Sequence, residues 1–273
     1  MTEGITTLLE LDYTNRALSG LERDRALGKR LNEFQLVLDY RFPQAMDLPL
    51  KVDDTLKLPT DAYVYDAWGY FKGASTLDLL RLRMGEAAFD DALKAYLAAC
   101  DVGPCSSDTF RAKVGDDAFF SEWVDTARRH TLTITFEPDG AVTLDQGQPG
   151  YLPIELWLEQ ADGSIERQPW LLTEGYETKH FAVARRVRVN PRHEAIVRVD
   201  PKMPGDVDFD GEVDGFDVIA CSRLVGHALS GGADTGVWGI DLDFDRRCDR
   251  DHDGQITAAD VAALPFNSLR SSP

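Results

Sequence analysis

Two acidic loops near the C-terminus constrain this chain more than any other feature. The first runs from Asp206 to Asp217 and reads DVDFDGEVDGFD; the second runs from Asp249 to Asp260 and reads DRDHDGQITAAD. Each places Asp at loop positions 1, 3, 5 and 12 and Gly at position 6. A Ca²⁺ ion takes roughly six to eight oxygens around one point. A tight loop supplies them when alternate residues carry carboxylates and a glycine lets the chain turn sharply between ligands. Val213 and Ile256 stand at position 8, where two apolar residues can pair the loops back to back. The expectation is two Ca²⁺ sites; the plainer alternative is two solvated acidic turns.

The charge balance points the same way. The chain of 273 residues carries a net charge of −18, and residues 200–260 hold 15 acidic against 5 basic side chains. Crowded carboxylates repel one another until a divalent cation neutralises them, so metal binding and folding are coupled. Residues 203–273 are therefore expected to be largely disordered without calcium. Such a surface also repels nucleic acid and anionic lipid, and neither is expected as a partner.

Four cysteines stand at 100, 105, 221 and 248. Pairs 100–105 and 221–248 suit an oxidising compartment; buried free thiols are the alternative. No apolar run has the length of a membrane-spanning helix. No secretory leader opens the chain, which begins Met1-Thr2-Glu3-Gly4 and goes directly into an amphipathic segment. The calcium loops and paired cysteines point to an extracellular protein, so the true N-terminus is expected upstream of Met1.

Along the chain the hydrophobic period changes once. Residues 1 to about 130 read as helical: 5–40, then a proline-containing loop, a long helix over 61–84 stopped by Gly85, and 86–99 with Phe89, Leu93, Tyr96 and Leu97 at helical spacing. Ser107 is placed to cap a short helix through Phe110, and 116–129 repeats the pattern. From Leu132 the alternation is two-fold. Strands are expected at 132–136, 141–145, 151–159, 164–172, 178–189 and 195–199, with Asp-Gly turns at 139–140 and 162–163. That spacing predicts a small antiparallel sandwich. Pro201 to Pro204 read as a linker into the calcium region.

Three places in the helical stretch carry a family resemblance. Met1-Thr2-Glu3-Gly4-Ile5-Thr6-Thr7 offers a Glu followed by Gly and a helix of small residues. Gly69-Tyr70-Phe71-Lys72-Gly73-Ala74 contains a Tyr-x-Lys-Gly-Ala segment. Met84-Gly85-Glu86-Ala87-Ala88-Phe89 through Tyr96-Leu97, then Phe119-Phe120-Ser121-Glu122-Trp123-Val124, follow in order. Together they resemble the C-terminal half of the aminopeptidase N (membrane alanyl aminopeptidase) family of gluzincin zinc metallopeptidases. The stretch 131–200, ending Val199-Asp200-Pro201, looks like the β-domain that often follows in that family.

The resemblance implies that Glu3 is a zinc ligand and that the Tyr70 hydroxyl steadies a developing oxyanion. A catalytic Zn²⁺ keeps three protein ligands and one open position. The family takes two of them from an H-E-x-x-H helix, whose Glu acts as general base. This sequence has no such motif. Its histidines are His130, His180, His193, His227 and His252, and His193-Glu194-Ala195-Ile196-Val197 carries Val where the second His belongs. Zn²⁺ is thus expected only if ligands upstream of Glu3 are supplied, and the chain by itself is expected to hydrolyse no peptide. Without the resemblance, Glu3 is an ordinary acid near a helix start, and Tyr70 a half-buried aromatic with a solvated Lys72 beside it.

The acidic pair resembles dockerin-type modules, which carry duplicated EF-hand-like loops followed by helices. That resemblance assigns Asp206, Asp208, Asp210, Asp214 and Asp217 as side-chain ligands, with Glu212 giving its carbonyl. In the second loop it assigns Asp249, Asp251, Asp253 and Asp260, with Thr257 acting directly or through water and Gln255 through its carbonyl. A helix Val218–Leu229 and an insert from Ser230 to Asp234 would separate the loops. Asp241-Leu242-Asp243-Phe244-Asp245 reads as a plain loop, because Arg246 occupies the glycine position. The module implies a docked protein partner. Gly215-Phe216 and Ala258-Ala259 stand where dockerins often carry the Ser or Thr that contacts cohesin.

The whole reads as a multidomain α+β chain: an α-helical, aminopeptidase-like region over 1–130, a small antiparallel β-sandwich over 131–200, and a helical dockerin-like EF-hand pair over 201–273. The function this predicts is the calcium-binding C-terminal portion of a secreted zinc aminopeptidase-like metallopeptidase, acting on peptide substrate only in a full-length protein. The alternative is a non-catalytic, calcium-dependent binding or scaffolding protein.

Overall fold

The computed structural model describes residues 2–51, 59–127, 130–137, 140–160, 162–181, 186–193, 195–201, 205–207, 213, 215–229 and 247–264. Helix α1 (Thr2–Thr14) buries Ile5, Leu8 and Leu11, spaced as one helical face requires. Helix α2 (Gly20–Leu36) does the same with Leu27, Leu31 and Phe34, then runs through a π turn (Val37–Arg41) into the short α3 (Pro43–Met46).

The long helix expected over 61–84 is present as three joined pieces: α4 (Ala62–Asp66), a second π turn (Ala67–Lys72) and α5 (Gly73–Met84). Asp61 starts it, its carboxylate accepting the Tyr63 and Val64 amides. Gly85 ends it at φ 84°, an angle that favours glycine. Helix α6 (Glu86–Cys100) follows directly. In α7 (Ser107–Val114) the cap is Ser106 rather than Ser107: its hydroxyl accepts the Thr109 amide at 3.1 Å. The helix also continues past Phe110 to the left-handed Gly115. Helix α8 (Asp117–Trp123) is shorter than the 116–129 pattern suggests.

Among the described residues seven strands follow: β1 (His130–Phe136), β2 (Ala141–Asp145), β3 (Leu152–Glu159), β4 (Ile165–Leu172), β5 (Tyr176–His180), β6 (Arg186–Val189) and β7 (Val197–Pro201). They form two sheets, ordered β5-β2-β1-β7 and β4-β3-β6. Two expectations are corrected here. The stretch 178–189 is not one strand: β5 borders the first sheet and β6 the second. Nor is the arrangement wholly antiparallel, because β1 and β7 run parallel, with Leu132 opposite Val199. Strand β3 is buried nearly throughout, and α5 packs against it.

One apolar cluster runs through the helices and both sheets, from Ile5 through Leu80 and Leu156 to Ile256 and Leu264. Polar links tie the same regions. Trp123 Nε1 donates to the Tyr151 carbonyl and Gln35 Nε2 to the Val197 carbonyl, each at 2.7 Å. Asp78, fully buried on α5, pairs with Arg81 and with Arg192 of the β6–β7 connection. Asp24 on α2 pairs with Arg192 and with Arg167 of β4. Asp12 on α1 joins Arg81 and Arg23.

Helix α9 (Gly215–Ser222) stops well short of Leu229. Residues 226–229 turn back instead to pair with 254–256: Gly226 donates to the Ile256 carbonyl, Ile256 to His227 and Leu229 to Gly254, each at 2.8 Å. The Ile256 amide donates to the His227 carbonyl, and Val213 and Ile256, the two position-8 residues, are both buried. Helix α10 (Ala258–Ala262) follows the second loop. Disulfides join Cys100 to Cys105 and Cys221 to Cys248. Among the described residues no helix is long and apolar enough to cross a membrane.

Candidate functional site

Two carboxylate sites stand apart. The first is built where α1 crosses the junction of the second π turn and α5. A Cβ on Gly4 would lie 2.6 Å from the Gly73 carbonyl carbon, so the two backbones touch directly. Glu3 precedes one of these glycines and Tyr70 lies three residues before the other, and both border Tyr65. Glu3 Oε1 accepts the Tyr65 hydroxyl at 2.7 Å, and the Tyr65 and Tyr70 rings meet edge-on with centroids 6.4 Å apart. Burial pushes the Glu3 carboxyl up, but the Tyr65 hydrogen bond and a backbone amide outweigh it and hold the group below its ordinary value. The same hydrogen bond, with burial second, raises the Tyr65 phenol to about 12.

Lys72 is buried, not solvated. Its ammonium donates to the Met46 and Leu48 carbonyls and pins α3 and the chain after it against the π turn. The Tyr70 hydroxyl makes no hydrogen bond among the described residues. Tyr70 borders a cavity of about 680 Å³ between α1, α2 and the π turn. Tyr65 escapes a motif search; Lys72 stands in the Tyr-x-Lys-Gly-Ala segment, but its burial does not show there. The polar stripe Glu3, Thr7, Glu10 and Thr14, repeating at helical spacing on α1, is the signal that could have marked the cavity wall.

Among the described residues no three metal-ligating side chains gather at this corner. Zinc needs three protein ligands, and Glu3 is one. His130 is buried, stacked on Trp123 with centroids 4.3 Å apart, and its Nε2 lies 3.2 Å from Glu122 Oε1. His193 sits between β6 and β7 with Nδ1 3.4 Å from Gln35 Oε1. His180 and His252 are exposed.

The second site is the loop 249–260. Carboxylate oxygens of Asp249, Asp251 and Asp253 lie within 4.8 Å of one another. The loop is wound by its own acids: Asp249 Oδ2 accepts the Gly254 amide at 3.0 Å, Asp251 the Asp253 amide at 3.2 Å, and Asp253 the Gln255 amide at 2.8 Å. Asp249 is 2% exposed, and its other oxygen, Oδ1, is buried with no hydrogen-bond partner. Burial raises the Asp249 carboxyl, and the neighbouring Asp253 and Asp260 add to the rise.

Asp260, at position 12, turns inward as a latch. It accepts the Arg250 amide at 2.8 Å and, through its other oxygen, the Thr257 amide and hydroxyl at 2.8 and 2.7 Å. Thr257 in turn caps α10. Loop 206–217 repeats the latch: Asp217, fully buried, accepts the Val207 amide at 2.7 Å, the same position-12 to position-2 bond. Asp206 is buried beside it. The remaining expected ligands of that loop, Asp208, Asp210, Glu212 and Asp214, lie outside the described residues.

The residues of the second loop fit a hard divalent cation. Three converging carboxylates and one buried, unsatisfied oxygen are what such an ion would satisfy. Asp249, Asp251 and Asp253 would hold it, and the Gln255 carbonyl stands at the position that completes such loops.

Among solved structures, the chain is similar to aminopeptidase A of Legionella pneumophila, determined in complex with aspartic acid. The identity is 14% and the TM-score 0.52, over 90% of this chain and 29% of that one. The likeness shows a mixed α/β fold shared with a peptidase, and the chain spans under a third of that protein's length. No protein-family model matches the chain, and no curated protein does.

Proposed function

We propose that this chain is the calcium-binding C-terminal portion of a secreted zinc aminopeptidase-like metallopeptidase, unable to hydrolyse peptides by itself. Three units make up the reading: a helical part of the peptidase region over 1–130, a β-sandwich over 131–200 and a dockerin-like pair of EF-hand loops over 201–273. The carrying observation is the unpartnered, buried Asp249 Oδ1 among three converging carboxylates. Repetition of the latch in both loops supports a duplicated module. In this reading Ca²⁺ offsets the repulsion among Asp249, Asp251 and Asp253, and Asp206, Asp208, Asp210, Glu212, Asp214 and Asp217 serve the first loop. Secretion is supported by two disulfides, which suit an oxidising compartment. A protein partner would dock on the module.

The peptidase half of the proposal is supported by the shared fold and by Glu3 and Tyr70 meeting at one corner. Zinc would supply the polarised water in a full-length protein; here the corner offers Glu3, orients it through Tyr65 and leaves Tyr70 free to donate. That Glu3 stands alone also favours a second reading, a non-catalytic, calcium-dependent binding or scaffolding protein. Calorimetry with Ca²⁺ tests the first claim: two binding events are expected, and no heat would overturn it. Purified chain with Zn²⁺ is expected to release nothing from an aminoacyl chromogenic substrate. An in-frame H-E-x-x-H codon set about twenty codons ahead of Glu3 separates the two readings.

A further inference from the structure

We propose that the cavity beside Tyr70 binds an alkylammonium or alkylguanidinium group, of the kind a lysine or arginine residue of a peptide carries. The peptide part rests on the peptidase-like reading above; the cation part stands on the cavity alone. Its volume of about 680 Å³ falls within the roughly 300–1,000 Å³ of small-ligand sites. The floor is apolar: Leu11, Phe34 and Phe71 are buried, and the two phenyl rings stack with centroids 4.4 Å apart. Three carboxylates line the walls, Glu10, Glu33 and Asp66, against one cation, Arg30.

These charges are not equivalent. Glu33 is fully buried and paired with Arg30, so this acid and base cancel. The Glu10 and Asp66 carboxylates make no hydrogen bond or ion pair among the described residues. A concave site with low-dielectric walls focuses uncompensated charge of one sign. The Tyr70 hydroxyl, likewise without a hydrogen-bond partner there, adds an acceptor for an N–H donor.

A ligand with an apolar stem and a cationic head matches each surface. The stem lies on the ring floor and the head reaches the two acids, the division that lysine and arginine make when they cover apolar surface. An anion would meet the surplus of negative charge. A neutral apolar ligand would strip water from Glu10 and Asp66 without replacing it.

The test is a nuclear magnetic resonance titration of the intact chain with N-acetyl-lysine amide, N-acetyl-arginine amide, the neutral N-acetyl-norleucine amide and a lysine-containing tripeptide. The two cationic amides are expected to bind at least about tenfold more tightly than norleucine amide, a difference of about 1.4 kcal/mol. The Glu10→Gln/Asp66→Asn double variant is expected to lose that preference while its melting temperature stays unchanged. Equal binding of all three amides, no binding of the cationic ones, or a preference that survives in the double variant would overturn the proposal. Cationic amides that bind while the tripeptide adds nothing keep the cavity assignment and count against the peptide reading alone.

Discussion

The corner that holds Glu3 and the loop that holds Asp249 are each built around a buried or half-buried carboxylate, yet they complete it differently. Glu3 is finished by the protein: a tyrosine hydroxyl binds it, and a glycine-to-glycine contact fixes the helices around it. Asp249 is left with one oxygen unmet and two more aspartates facing it. The first region should hold its shape in any salt. On the reading proposed above an ion completes the second, and its stability should follow that ion.

The largest test of this contrast lies on the loop side. Cys221→Ser with Cys248→Ser removes a link spanning 27 residues of sequence, worth about 3.5 kcal/mol by loop entropy. Its effect should be confined to the loops, with weaker Ca²⁺ binding by calorimetry. On the packed side, Asp78→Ala removes a fully buried partner of both Arg81 and Arg192, which keep Asp12 and Asp24, and should cost about 3 kcal/mol in denaturant unfolding, with calcium affinity unchanged. Calcium at one hundred times its Kd should stabilise the loops by about 2.7 kcal/mol. Circular dichroism melts should show that gain, and Asp249→Asn should abolish it for the second loop. Gly4→Ala, which forces a Cβ into the Gly73 backbone, should cost about 1–3 kcal/mol whether calcium is present or not.

The smallest effect is spectroscopic. Tyr65 titrates at about 12, above its ordinary value, so its hydrogen bond to Glu3 stabilises the fold fully below pH 10 and fades as pH rises toward 12. Ultraviolet titration should show Tyr65 as a late phenol beside a raised Tyr151, and Glu3→Gln should return Tyr65 alone toward its usual value.

The sequence made the loops legible because each ligand position is set by spacing within twelve residues. It also placed the Gly85 stop and the change of period at Leu132. What it could not show depends on partners far along the chain. Alternation in 178–189 says that side chains face two ways, not that Tyr176–His180 and Arg186–Val189 join different sheets. The parallel pairing of β1 with β7 is likewise invisible locally. Val218–Leu229 reads as one helix, yet its second half is taken by Gly254 and Ile256. Tyr65 and Lys72 were hidden for a similar reason: a tyrosine and a lysine on a helix look solvated until the elements that cover them are known.

The meeting of Gly4 and Gly73 carries one more consequence. With no side chain between them, the two helices have a pivot rather than a cushion. Adding a single methyl there forces the backbones apart and disturbs the Glu3–Tyr65 bond that the contact holds in place.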